Sequence, residues 1–262
     1  MRKNILLISF MTLIIMLTGF TVDTLAEDLN GREIMEKVYN RETGEDREAE
    51  MNMILVNKFD DERERVLKQF NRDFGEVEKK IMFFTAPQDI RGTSFMNWSY
   101  EDERGDSQWI YLPALRKIKR ISAENKSDYF MGSDFTYDDL GERKLEEDNH
   151  KLIGNEKING EECYIVENIP KEEDYMYSKT ITWVSKDKWI GLKKEFYDND
   201  GKLLKTLTVK DYKKIDGIVT IIHSEMYNKQ KDHKTILKLD EVEYNTGISE
   251  DKFTERQMKM GI

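Results

Sequence analysis

The side chains that most often carry out chemistry in proteins are few in this sequence. The three histidines are His150, His223 and His233, and none has a second histidine at the spacing of metal ligands. His223 is followed by Ser224 and Glu225, but adjacent side chains of a strand point to opposite faces, so these residues would not meet as a catalytic triad. No HExxH, paired-cysteine or glycine-rich phosphate motif occurs. We therefore predict that the protein is not an enzyme.

Two acidic clusters resemble metal sites. Asp134, Asp138 and Asp139 would suit a metal ion or a general acid and base, but helix capping and loop hydrogen bonds explain them more simply. The run Asp198-Asn199-Asp200-Gly201 is similar to the start of a calcium loop. Position 209 is Val where such a loop needs a bidentate Glu, so a hairpin turn is predicted. We predict no metal ion and no cofactor.

Cys163 is the only cysteine, so no intrachain disulfide can form. It lies in the alternating run Glu161-Glu162-Cys163-Tyr164-Ile165-Val166, which is typical of a strand. A thiol in such a run is expected to be buried and inert.

Basic and aromatic residues are concentrated between Arg91 and Leu140. The basic cluster indicates either a charged sheet edge or contact with an anionic head group or acidic partner, and both alternatives stay open. The aromatic residues belong either to the core or to a surface that holds an apolar ligand. The basic cluster comprises Arg116, Lys117, Lys119 and Arg120.

The composition bounds the class of protein. The net charge of the chain is −10, and a surface of this sign repels the phosphate backbone of nucleic acids. We therefore predict no nucleic-acid partner. Proline is rare and no linker-like segment interrupts the pattern, which favours a single domain.

The N-terminus has the three parts of a secretory signal. Arg2 and Lys3 precede an uncharged run that extends to Val22, and Thr24-Leu25-Ala26 supplies small residues for signal peptidase. We predict a signal peptide over residues 1–26, one domain over residues 27–262, and a soluble protein exported to the periplasm or another extracytoplasmic space. The alternative is an uncleaved anchor, because the apolar run approaches the length that spans a membrane.

Hydrophobic periodicity predicts a mainly β (α+β) protein. Ile34, Met35 and Val38 fit one face of a short helix, with Asp28 or Asn30 as its N-cap. From Glu48 onward the period changes to two, and short turns leave no room for crossover helices, so the strands are expected to pair antiparallel. A long meander twists and curls. The prediction is an incomplete antiparallel β-barrel, or strongly curved sheet, with a few short helices closing an apolar cavity; the nearest alternative is a closed lipocalin-like barrel.

Three segments of the chain resemble a known family. They are Arg91-Gly92-Thr93 to Trp98, Trp109-Ile110-Tyr111-Leu112-Pro113-Ala114-Leu115-Arg116-Lys117, and Met131-Gly132-Ser133-Asp134-Phe135-Thr136-Tyr137-Asp138-Asp139-Leu140. The pattern is similar to that of the outer-membrane lipoprotein-sorting proteins, a LolA/LolB-like group of exported bacterial proteins. The likeness extends from the first helix to the C-terminus and includes Asp251-Lys252-Phe253 near the end.

This resemblance implies a periplasmic carrier whose hydrophobic cavity takes up the acyl chains of lipoproteins or other lipids for transfer towards the outer membrane. It also implies an inner-membrane transporter of the RND or ABC type as a partner. Two alternatives are a lipid-sensing regulatory protein, like the stress regulators that bind an anti-sigma factor, and an exported enzyme. The predicted ligand contacts are Phe95, Trp98, Trp109, Tyr111, Phe130, Met131, Phe135 and Tyr137, with Arg91 and Arg116 at the polar rim.

Overall fold

A computed structural model of the protein describes residues 29–262, and the predicted signal peptide lies outside this range. Its main feature is a sheet of 13 strands in the order β6-β5-β4-β3-β2-β1-β13-β12-β11-β10-β9-β8-β7. The strands are β1 Asp46–Val56, β2 Glu62–Asp73, β3 Val77–Ala86, β4 Ser94–Tyr100, β5 Ser107–Leu112, β6 Lys117–Ile121, β7 Asp148–Ile158, β8 Glu161–Pro170, β9 Lys179–Ser185, β10 Gly191–Tyr197, β11 Leu203–Ile215, β12 Ile218–Asn228 and β13 His233–Tyr244.

Every pairing in the sheet is antiparallel, and nearly every strand pairs with its neighbours in sequence. The exception is β1, which pairs with β13 and so joins the two meanders, β1–β6 and β7–β13. No hydrogen bonds link β6 to β7, so the sheet is not closed. The predicted incomplete antiparallel barrel is confirmed, and the closed barrel is not formed.

The chain between β6 and β7 leaves the sheet and contains only short 3-10 turns. Residues 128–140, here called the interior segment, pack against both meanders. Phe130 lies in one apolar cluster with Phe84 and Phe95, and Phe135 lies in another with Phe196 and Met226. The sheet is therefore curved around the interior segment, and the face that contacts it is the inner face.

The helix α1 spans Gly31–Tyr39 and is set by its N-terminal sequence. The Asn30 side chain accepts a hydrogen bond from the Glu33 backbone N–H, and the Glu33 carboxylate accepts one from the Asn30 N–H, which forms a capping box. Ile34 is fully buried against Val166 and Val184, so α1 covers the inner face near the β7 edge. The predicted helix and its Asn30 cap are confirmed.

The C-terminal segment covers the outer face of the first meander. Ile248, Phe253 and Met258 pack on Phe83 and Met96, which point away from the neighbouring inner residues Phe84 and Phe95. This segment contains a 3-10 turn at Glu250–Lys252 and the helix α2 at Glu255–Met260. Thus α1 lies inside the curve of the sheet and α2 lies outside it.

The edge strand β7 lacks the sequence pattern from which strands are predicted. On its inner face Asp148 is buried and His150, Leu152 and Gly154 are half-buried, and the exposed Ile153 lies on the opposite face. Apolar alternation is therefore missing, because an edge strand buries little surface. Within residues 29–262, no helix is both long enough and apolar enough to cross a membrane.

Candidate functional site

The inner face of the first meander is polar at one end and apolar at the other. The register of β1–β5 aligns inner residues in rows that run across the strands. One row is wholly polar, the second is largely apolar and the third is apolar. The rows are Arg47, Asn71, Lys80, Asn97 and Gln108; then Ala49, Gln69, Met82, Phe95 and Ile110; then Met51, Leu67 and Phe84.

The apolar end is filled by the interior segment. The ring of Phe130 lies 5.3 Å from that of Phe95 and 5.8 Å from that of Phe84, and Phe95 and Phe130 are fully buried. The Tyr137 ring lies 5.9 Å from that of Phe95. The inner apolar surface therefore exists, but side chains of the same chain occupy it. The remaining members of this cluster are Met53, Leu55, Leu67 and Met82.

Buried polar contacts attach the interior segment to the second meander. Lys205 is fully buried, forms an ion pair with Asp139 and donates a hydrogen bond to the Asp134 carbonyl at 3.0 Å. The Asp134 carboxylate accepts a hydrogen bond from Thr235 Oγ1 and lies at 2.7 Å from His233 Nδ1. Such contacts are short and directional, so they fix the segment in one position.

The acidic residues of this segment also form the predicted loop hydrogen bonds. Asp139 accepts from the Thr136 backbone N–H at 2.7 Å. Asp138 accepts from the Tyr175 hydroxyl, and burial raises the pKa of Asp138. Within residues 29–262, no group of three His, Cys, Asp or Glu side chains is arranged to hold a metal ion.

The polar row opens into a cavity of about 740 Å³, here called the polar cavity. Its wall joins the end of α1 and the following turn to the polar ends of β1–β3. Burial raises the pKa of Glu142 to about 7, and the nearby carboxylates of Glu78, Glu101 and Asp106 add to the shift against the opposing charge of Lys80. The lining includes Tyr39, Arg41, Arg47, Gln69, Asn71, Glu78, Lys80, Glu101 and Glu142.

The polar cavity also contains two arginines. Burial lowers the pKa of Arg41, and the neighbouring positive charge of Arg47 lowers it further. Arg47 belongs to the polar row, and Arg41 follows α1. A cavity with such a lining suits a charged or strongly polar group rather than a hydrocarbon chain.

Five of the predicted ligand residues lie together at the inner face. Phe95 points inward from β4, and the other four belong to the interior segment, where Met131 and Tyr137 are half-buried. Phe135 packs towards the second meander. These five are Phe95, Phe130, Met131, Phe135 and Tyr137.

The other predicted residues lie elsewhere. Trp98, Trp109 and Tyr111 point to the outer face, where they pack with the C-terminal segment, and the two tryptophan rings lie 5.1 Å apart. They share no surface with the inner five. Arg91 and Arg116 are exposed and do not line the polar cavity.

The sequence prediction missed the charged residues of the polar cavity. Arg47 is in phase with Ala49, and Lys80 is in phase with Met82 and Phe84. A charged side chain at an inward-facing position of an otherwise apolar strand was the available signal. Arg41 and Glu142 lie in connecting segments, where periodicity gives no information.

Comparison with known proteins is consistent with this architecture. A family model described as that of an uncharacterized protein matches residues 76–260. An outer membrane lipoprotein-sorting protein domain from Vibrio parahaemolyticus is 36% identical, with a TM-score of 0.82 over 87% of this chain and 98% of that chain. A DUF1329 family protein from Desulfovibrio piger is 29% identical, with a TM-score of 0.83 over 87% of this chain and 97% of that chain.

A third structure has the same fold at lower identity. The LolA superfamily protein from Nitrosomonas europaea is 18% identical, with a TM-score of 0.69 over 87% of this chain and 99% of that chain. None of the curated proteins matches the chain. The identity and coverage of the Vibrio domain, together with the shared curved sheet, are decisive: the chain belongs to the family of outer-membrane lipoprotein-sorting proteins.

Proposed function

We propose that the protein is a periplasmic carrier that binds the acyl chains of lipoproteins or other lipids against the inner face of its sheet. One observation carries this proposal: the apolar inner surface is covered by a segment that has no strand and no α-helix. A ligand can replace such a segment without breaking the sheet. Phe95, the predicted ligand residue that belongs to the sheet, would then contact the chains, and so would Leu67 in the same apolar cluster.

The apolar contribution favours an exchange of the interior segment for acyl chains, and the exchange would also break the buried polar contacts of Lys205 and Asp134. Burying one aromatic side chain contributes about 1.5–3 kcal/mol, so Phe130, Phe135 and Tyr137 together contribute several kcal/mol. An acyl chain with about a dozen methylenes contributes about 10 kcal/mol at about 0.8 kcal/mol for each methylene. Two such chains would therefore exceed the apolar contribution of the segment they displace.

Export and a membrane partner belong to the same proposal. The predicted signal peptide would deliver the protein to the periplasm, where it would receive lipid from an inner-membrane transporter of the RND or ABC type. The family membership and the sheet with an inner apolar surface support this assignment. The protein would act by binding and release, without a chemical step.

A spin label on the interior segment tests the proposal. Met131→Cys, in a Cys163→Ala background, places the label at a half-buried position of the segment, and Tyr111→Cys places a matched label on the outer face. Addition of a monoacyl lipid is expected to increase the mobility of the label at position 131 and to leave the label at position 111 unchanged.

Two results would contradict the proposal. The first is saturable lipid binding, measured by calorimetry, with no change at position 131. The second is the absence of binding for mono- and diacyl lipids of several chain lengths. Mass spectrometry of lipids extracted from the purified protein gives an independent test, because a carrier is expected to retain some of its cargo.

A further inference from the structure

Arg41 and Arg47 form a pair of like charges in the polar cavity. Both line its wall, and both also line a smaller hollow of about 120 Å³ that continues towards β12 and β13. The two are close enough for their charges to repel, since Arg47 contributes to the lowered pKa of Arg41. Like charges held together in a partly desolvated space are unfavourable unless an opposite charge joins them.

Neither arginine has an acidic partner among residues 29–262. The ion pairs of this part of the chain, at up to 4.0 Å, include neither Arg41 nor Arg47. The Arg47 Nε atom is buried and has no hydrogen-bond partner. A buried N–H group without an acceptor is rare in proteins, because it loses its bonds to water without replacement.

The acidic residues that line the same cavity form no ion pair with either arginine, and they are Glu45, Asp46, Asp73, Glu78, Glu101 and Glu142. The charge of Glu78 acts in the opposite direction to that of Arg47 and raises the pKa of Arg41. The Glu78 carboxylate accepts a hydrogen bond from Asn71 at 3.1 Å, and the Tyr244 hydroxyl is bonded to Thr220 Oγ1 at 2.8 Å. Within residues 29–262 the Arg47 Nε atom therefore has no acceptor, and an anion that entered the cavity would supply one.

Resting on the carrier function proposed above, we infer that Arg41 and Arg47 bind the phosphate of a lipid head group whose acyl chains occupy the apolar end of the inner face. Two guanidinium groups present paired N–H donors that match the oxygens of a phosphate, and the match is better than for a neutral head group. A volume of about 740 Å³ holds a phosphate with its glycerol and substituent.

The position of the polar row supports this orientation. Arg47 lies in the same row as Lys80, and the row beside it contains Met82 and Phe95. Adjacent inner residues of one strand are about 7 Å apart, so the phosphate would lie one row from the first buried methylenes. Lys80 also donates a hydrogen bond to the Leu140 carbonyl at 2.9 Å, which places the end of the interior segment at this boundary.

Titration calorimetry with three probes tests the inference: dioctanoyl phosphatidate, dioctanoylglycerol and inorganic phosphate alone. The native chain is expected to bind dioctanoyl phosphatidate at least tenfold more tightly than dioctanoylglycerol. The double variant Arg41→Gln and Arg47→Gln is expected to bind both lipids equally. Arg91→Gln with Arg116→Gln removes the same charge from exposed positions and is expected to keep the native preference.

The outcomes separate this inference from the carrier function. Failure of both lipids to bind the native chain would overturn the carrier function and the head-group site together. Binding of both lipids with equal affinity would overturn only the head-group site, as would a preference that survives in the double variant. Inorganic phosphate that binds as tightly as the phosphatidate would indicate a site for the free ion and would also overturn the inference.

A charge-preserving variant covers the case in which the double variant does not fold. Arg41→Lys retains the positive charge and removes the paired donors of the guanidinium. Its affinity for dioctanoyl phosphatidate is expected to fall about three- to tenfold, while its affinity for dioctanoylglycerol is unchanged. An unchanged phosphatidate affinity in this folded variant would contradict the inference.

Discussion

Replacing Glu142 with Gln removes a carboxyl group that the polar cavity holds in an unfavourable environment. The pKa of this carboxyl is raised from 4.5 to about 7 by burial and by the nearby acidic residues. The folded state therefore becomes less stable as Glu142 ionises. The stability that goes with the protonated carboxyl is complete below pH 4.5, declines between pH 4.5 and 7, and is lost above pH 7. At about 1.4 kcal/mol for each tenfold change in proton affinity, the loss above pH 7 is about 3 kcal/mol.

Urea unfolding at pH 5 and pH 8.5 measures this effect. Glu142→Gln is expected to gain about 2–3 kcal/mol of unfolding free energy over the native chain between pH 5 and pH 8.5. This gain is close to the largest that the raised pKa of Glu142 allows. Glu103→Gln, at an exposed hairpin position, is the matched control and is expected to show no such rise. The reasoning would be refuted if Glu142→Gln differed from the native chain by the same amount at both pH values.

Three further substitutions test the packing described above. Lys205→Met leaves the buried Asp139 carboxylate unpaired and is expected to lower the free energy of unfolding by about 3–5 kcal/mol, whereas adding Asp139→Leu should recover much of that loss in the same urea assay. Gly31→Ala places a Cβ 2.6 Å from the β7 backbone and is expected to lower the melting temperature, with an unfolding cost of about 1–3 kcal/mol. Gly105→Ala, whose Cβ would meet only the Lys126 Nζ atom at 4.0 Å, should leave the melting temperature unchanged. Asp46→Asn weakens three hydrogen bonds that the Asp46 carboxylate accepts from backbone N–H groups after β13. Burial raises the pKa of Asp46, but these bonds outweigh burial and lower it. The difference in unfolding free energy between this variant and the native chain should therefore be present at pH 7 and shrink as the pH falls below 4.

Periodicity in the sequence was sufficient to predict the sheet because most strands bury one face. Met51, Met53 and Leu55 alternate with partly exposed residues, and α1 carries its own capping residues. The strand β7 lacked this signal, since its half-buried face carries mostly polar residues. Local patterns thus determine the elements that contribute apolar surface to the core.

The distribution of aromatic residues between the two faces was harder to predict. Phe95 and Trp98 belong to one strand, three residues apart, so alternation alone places them on opposite faces. Which face is inner depends on the interior segment and the C-terminal segment, and both are distant in sequence from β4. Their packing is a tertiary property that no local window contains.

The polar cavity shows the same limitation. Arg41 and Glu142 are 101 positions apart and line one cavity only because α1 and the chain before β7 lie at the same end of the curved sheet. Charged residues outside regular strands are usually solvated, so their convergence on one cavity is visible only in three dimensions.

The chain on either side of the interior segment is joined to an edge strand, β6 before it and β7 after it. A displaced segment would therefore remain near the surface it had covered, at an effective concentration that reaches the millimolar range for short flexible connections. Every bound ligand would compete with the tethered interior segment for the same surface. This competition lowers the net affinity of the ligand and speeds its dissociation. Hand-over to an acceptor could then proceed without an external energy source, because the protein itself refills the space that the cargo leaves.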